Sequence, residues 1–120
     1  MRKVRFAILD LTVYEACNAF WKEYTKFHRI NENEASIACK VSKALSRYTM
    51  LYRITDLDVE ETMRIAVENN ITFYDASYIA LACKLKSPIA SEDSNIIAVA
   101  PKYDIEVIRL NQLLDILKQV

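Results

Sequence analysis

Ile71-Thr72-Phe73-Tyr74-Asp75-Ala76-Ser77-Tyr78-Ile79-Ala80-Leu81-Ala82, followed shortly by Pro88-Ile89-Ala90-Ser91-Glu92-Asp93, is the stretch on which the fold of this chain turns. Asp75 opens an apolar helix of small residues, and Asp93 sits just past a short β-like run. Nearer the N-terminus, Asp10-Leu11-Thr12-Val13-Tyr14-Glu15-Ala16-Cys17-Asn18-Ala19-Phe20-Trp21 places another acid near a helix start. Carboxylates at helix starts and strand ends can converge on one divalent cation, because hard cations take oxygen ligands.

Outward from these segments, strands alternate with helices. Residues 4–9 read as a strand, and Val13, Ala16, Cys17, Phe20, Trp21 and Tyr24 follow at helical spacing. Asn31 with Glu34 makes a capping box for a helix carrying Ile37, Val41, Leu45 and Tyr48 inward. Residues 50–54 form a short strand. Asp58 with Glu61 caps a helix bearing Val59, Met63, Ala66 and Val67, which Asn69-Asn70 ends. The Asp75 helix packs through Ala76, Ile79, Ala80 and Cys83. Ile89-Ala90 and Ile105–Ile108 are two more strands, and Asn111 caps a last helix with Leu113, Leu114 and Leu117. This order predicts an α/β fold with a mainly parallel sheet, helices on both faces, and ligands at the carboxyl ends of the strands.

Composition narrows the options. The chain has 120 residues, enough for one domain with a core, and no linker or repeat divides it. No apolar run approaches the ~18 residues of a membrane span, and no secretion signal is visible. Lys and Arg number 16, as do Asp and Glu, so any nucleic-acid contact must use local positive groups. Cys17, Cys39 and Cys83 lie in helical patterns without metal-ligand spacing, which reads as buried reduced thiols in a cytoplasmic protein. There is no glycine. Glycine-rich phosphate loops are therefore excluded, and asparagine must serve where the backbone turns left-handed. Low glycine and proline with abundant Ile, Lys, Glu and Tyr suits a thermophile.

The Asp10–Glu23 segment resembles the second motif of PIN-domain proteins, especially toxins of the VapC type. Thr72–Ala82 resembles their third motif. Pro88–Asp93 resembles their fourth, with Ser-x-Asp where Thr-x-Asp is usual. The resemblance covers about residues 6 to 110. It implies a three-layer α/β/α domain over residues 1–120 and a metal-dependent endoribonuclease, the toxin half of a toxin–antitoxin pair. It also implies an RNA substrate, an antitoxin partner and Mg²⁺ or Mn²⁺ as cofactor. Glu15, Asp75 and Asp93 become the metal ligands and catalytic acids. Ser91 orients a metal-bound water or a carboxylate, and Asn18 holds Glu15 by a hydrogen bond one turn along the helix.

One departure bears on activity. PIN domains begin with a strand ending in Leu-Asp-x-Ser/Thr, which supplies the first acid. Leu9-Asp10-Leu11-Thr12 matches that pattern, yet Asp10 also fits the residue preceding the second-motif helix. On the second assignment the chain is N-terminally shortened and its cleavage weak or absent. On the first, the two motifs are fused and Asp10 is an additional acid. A catalytically dead binding or dimerisation module is the alternative function. A parallel sheet without a central strand would expose apolar surface, so a homodimer is expected.

Plain structural roles also suit these residues. Asp75 and Asp93 fit helix N-caps, and Glu15 fits a first-turn acid favoured by the helix dipole. His28 reads as a surface residue. Phe20 and Trp21 read as core or interface. Lys22, one turn beyond Asn18, is the first choice for an RNA phosphate contact, against a solvated face as its bland reading.

Overall fold

The structure, a computed structural model, describes residues 4–119. It divides into two compact units, residues 5–53 and residues 54–119 with Val4. The α/β class and the parallel strand pairing are as the sequence predicts.

In the first unit, β1 (Ala7–Leu9) leads straight into α1 (Asp10–Thr25), followed by α2 (Glu32–Ser46) and β2 (Met50–Tyr52). Ala7, Ile8 and Leu9 pair in parallel with Met50, Leu51 and Tyr52. A parallel pair needs a crossover, and the packed α1–α2 hairpin supplies it. The expected capping box is present. Asn31 Oδ1 accepts from the Glu34 N–H at 2.8 Å, and Glu34 Oε1 accepts from the Asn31 N–H at 3.0 Å. Asn31→Ala should therefore lower stability by about 1 kcal/mol, measurable by urea unfolding.

The apolar stripe of α2 does not point inward as expected. Ile37, Val41, Leu45 and Tyr48 are 50%, 51%, 60% and 88% exposed. Helical periodicity shows that four residues share a face; it does not show which face meets α1. The α1–α2 contact instead includes Cys17 and Cys39. The neighbouring Cys39 thiol, through hydrogen bonding, followed by burial and the Cys39 charge, raises the Cys17 pKa. Burial, then the Glu61 charge, raises that of Cys83. All three cysteines are free thiols, half-buried rather than fully buried.

In the second unit, α3 (Val59–Asn69) and α4 (Phe73–Leu85) pack together, and β3 (Ile89–Ala90) pairs in parallel with β4 (Val107–Ile108). The short helix α5 (Ser94–Val99) lies between the two strands in sequence, and α6 (Leu110–Lys118) ends the fold. The core comprises Ile65, Ala66, Ala76, Ile79, Ala80, Ala82, Ile96, Val99, Ala100 and Ile105. Alanines dominate because close helix packing leaves little volume between backbones. Helix α4 is apolar around most of its circumference and is buried accordingly. On α3 the inward face is Thr62, Ile65 and Ala66, whereas Val59, Met63 and Val67 are exposed. Thr62 tolerates burial because its hydroxyl donates to the Asp58 carbonyl at 2.8 Å.

Three turns in this unit use the left-handed region without glycine. Asn70 and Lys86 have φ near 50°, and Asp104 has φ of 62°. Each is followed by an N–H that reaches back to close the turn: Ile71 to the Ala66 carbonyl, Ser87 to Ala82, and Ile105 to Ala100. These bonds satisfy terminal carbonyls and offset a left-handed strain of about 1–2 kcal/mol per residue. The Asn70 turn is where the sequence places it. The last strand is shorter than expected, because Ile105 serves one of these turns and the core.

Helix α6 also begins differently. Its N-cap is Arg109, not Asn111. The Arg109 N–H donates to Gln112 Oε1 at 2.8 Å, and the Leu110 N–H donates to Glu92 Oε1 at 2.7 Å. Glu92 also pairs with the Arg109 guanidinium, which, followed by the Leu110 N–H, holds its carboxyl below the ordinary range. This contribution is present at neutral pH and is lost as acid protonates Glu92 below that range. Among the described residues, no helix is long and apolar enough to cross a membrane.

Candidate functional site

The second unit brings two of the expected acids into one hydrogen-bonded assembly. Thr72, not Asp75, is the N-cap of α4, and its Oγ1 accepts from the Asp75 N–H at 3.1 Å. Asp75 therefore sits in the first turn, where the helix dipole favours a negative charge. Thr72-Phe73-Tyr74-Asp75 carries the Ser/Thr-x-x-acid signature of a helix start, which would have located this boundary.

Asp93 is the N-cap of α5. Its Oδ1 accepts from the Asn95 N–H at 2.9 Å and from the Ile96 N–H at 3.1 Å. Ser91 Oγ accepts from the Asp93 N–H at 3.0 Å, so this hydroxyl fixes the backbone that carries the acid. Asn95, to which the sequence drew no attention, joins the two carboxylates. Its Nδ2 donates to Asp75 Oδ2 at a long 3.4 Å, while its backbone N–H is held by Asp93. The Asp-x-Asn spacing of Asp93-Ser94-Asn95 is the local signal that could have singled it out. Asp75 is half-buried, whereas Asp93 and Asn95 are exposed.

The remaining candidates lie on α1 in the first unit. Asp10 occupies the first turn and is half-buried. Glu15 falls in the second turn, not the first, and is exposed, as is Asn18 one turn later. Lys22 is exposed, and its carbonyl accepts the Lys26 and Phe27 N–H groups that close the helix. The Lys26 ammonium lies 5.7 Å from the centre of the Trp21 ring, which is itself about half exposed. His28 is exposed, in a left-handed turn with φ of 52°. Among the described residues, no group of three or more His, Cys, Asp or Glu side chains is placed to hold a metal ion.

No family model matches the sequence. Individual proteins do. Over 94 residues the chain is 39% identical to a Pyrobaculum aerophilum protein named exonuclease VapC9, which covers 78% of this chain and 66% of that protein. A second protein of that organism, ribonuclease VapC3, is 27% identical over 85 residues, covering 71% of this chain and 63% of the relative. The chain thus spans slightly less than two thirds of the length of these curated relatives. The crystal structure of PAE2754 from Pyrobaculum aerophilum superposes with a TM-score of 0.77 at 32% identity. That match covers 95% of this chain and 77% of the other.

Proposed function

Since this chain belongs to the VapC type of the PIN-domain family, we propose that it is a divalent-metal-dependent endoribonuclease. The observation that carries this is the coupling of Asp75 and Asp93 through Asn95 at the starts of α4 and α5. Mg²⁺ typically keeps several waters and binds through one or two carboxylates plus substrate phosphates, so a pair of acids is a chemically sufficient nucleus. Mn²⁺ suits the same oxygen donors. When bound, such an ion activates water and neutralises charge on phosphoryl oxygens.

The chain's own residues have distinct parts in this reading. Asp93 spends Oδ1 on its helix cap, which leaves Oδ2 as the oxygen for a cation. Ser91 steadies the Asp93 backbone. By resemblance, Glu15 is the acid of the second motif, with Asn18 its hydrogen-bonding neighbour, and Asp10 is an additional acid only if the first and second motifs are fused. Lys22, with no partner fixed by the motif, serves an RNA phosphate. An antitoxin partner rests on the same resemblance, and the single-domain assignment on chain length and the lack of a linker. With few carboxylates the metal affinity is low, and cleavage is slow and needs millimolar Mn²⁺ or Mg²⁺.

One relative is named an exonuclease, which states a cut from chain ends, whereas the name ribonuclease of the other states only the substrate. Circular single-stranded RNA separates the modes, because it has no ends. We expect Mn²⁺-dependent linearisation, abolished by EDTA. Degradation confined to linear RNA would mean an exonuclease, and an inert protein with either substrate would favour the binding-module reading.

The exposed stripe Ile37, Val41, Leu45 and Tyr48 favours self-association. We propose a homodimer that buries it. Light scattering should give twice the chain mass, and Val41→Glu should shift this toward one; a monomer without the substitution refutes it.

A further inference from the structure

Asn95 does two things. Its backbone N–H is held by the Asp93 carboxylate at 2.9 Å, which fixes its Cα against the cap of α5. Its side-chain amide then reaches across to Asp75 Oδ2 on α4. The two acids are eighteen residues apart in sequence, and each is pinned locally, Asp75 over the Thr72 cap and Asp93 over Ser91. Among the described residues, the Asn95 side chain links these two local arrangements.

The residue type fits the task. An amide brings an N–H donor to a carboxylate without adding charge, whereas an acid at this position would repel Asp75. Holding Oδ2 restricts the rotation of the Asp75 carboxylate. Asp93 is restricted the other way, with Oδ1 occupied. Together these bonds engage one oxygen of each acid, Oδ2 of Asp75 and Oδ1 of Asp93.

We propose that Asn95 is the positioning residue of the acid pair, setting the orientation of Asp75 relative to Asp93 for a divalent cation. This rests on the metal-dependent reading above. In this role Asn95 acts through Asp75. Hydrogen-bond partners of metal-ligating carboxylates typically change metal affinity by about 10- to 100-fold when removed. The 3.4 Å contact is long, so the lower end of that range applies here.

The test uses the whole chain and the metal alone. Mn²⁺ binding is followed by the loss of the free-ion electron paramagnetic resonance signal. Asn95→Ala should weaken Mn²⁺ binding about tenfold while the metal-free melting temperature stays unchanged, as befits an exposed side chain. In a second arm, the Asn95 side-chain amide signal in a ¹⁵N spectrum should move when Mg²⁺ is added. It should also move in metal-free Asp75→Asn protein. Unchanged Mn²⁺ affinity in Asn95→Ala, or an amide signal indifferent to Asp75→Asn, overturns the role of Asn95 and leaves the metal reading standing. Failure of the unsubstituted chain to bind Mn²⁺ or Mg²⁺ overturns the metal reading and the positioning role with it.

Discussion

Asp75→Asn is expected to lower Mn²⁺-dependent RNA cleavage by at least about a hundredfold, equivalent to roughly 3 kcal/mol of transition-state stabilisation. The substitution keeps the shape of the side chain and its place over the Thr72 cap. What it removes is a negative charge in the first turn of α4. Stability should therefore fall by at most about 1 kcal/mol, the scale of a charge at a helix start. Single-turnover assays with protein in excess resolve slow cleavage, and circular dichroism checks the fold. Asp10→Asn, in the same assay, should retain most of the activity if Asp10 only precedes the second-motif helix. Retention of full activity in Asp75→Asn would remove this residue from the chemistry.

Ile79→Ala should cost about 2–5 kcal/mol. Ile79 is fully buried in the middle of α4, within the core cluster that includes Ile65, Ile96 and Val99. The other buried members of this cluster are alanines, isoleucines and a valine. Against a typical total stability of about 5–15 kcal/mol this is a large fraction. Urea unfolding should show a lower midpoint with an unchanged slope. Ile79→Val, which removes one methylene, should cost only about 0.5–1.5 kcal/mol. Equal effects of the two substitutions would show that the site is not close-packed.

What the sequence reveals of this fold follows the range of the interactions. The capping box of Asn31 and Glu34 spans four residues, and so does the cap of Asp58 over α3; both are legible and both are present. The small-residue face of α4 is legible for the same reason, since its packing surface is written in consecutive turns. The start of α6 is not, because its first N–H is satisfied by Glu92, eighteen residues earlier. The link from Asn95 to Asp75 spans twenty residues and is equally silent. The α2 stripe shows a different failure. Its periodicity correctly makes a helix with one apolar face, but it does not tell whether that face meets the same chain or another.

The left-handed cap at Asn70 bears on how this molecule ages. An asparagine loses its amide when the next backbone nitrogen attacks the side-chain carbonyl and closes a five-membered ring. That attack is fastest when glycine follows, because no side chain stands in its way. This chain has no glycine, and the residue after Asn70 is Ile71. The branched side chain of Ile71 hinders the approach, and its N–H is already engaged by the Ala66 carbonyl at 3.1 Å. The turn that ends α3 is thereby shielded from deamidation, the slow covalent decay to which asparagines in open turns are prone during long exposure to heat.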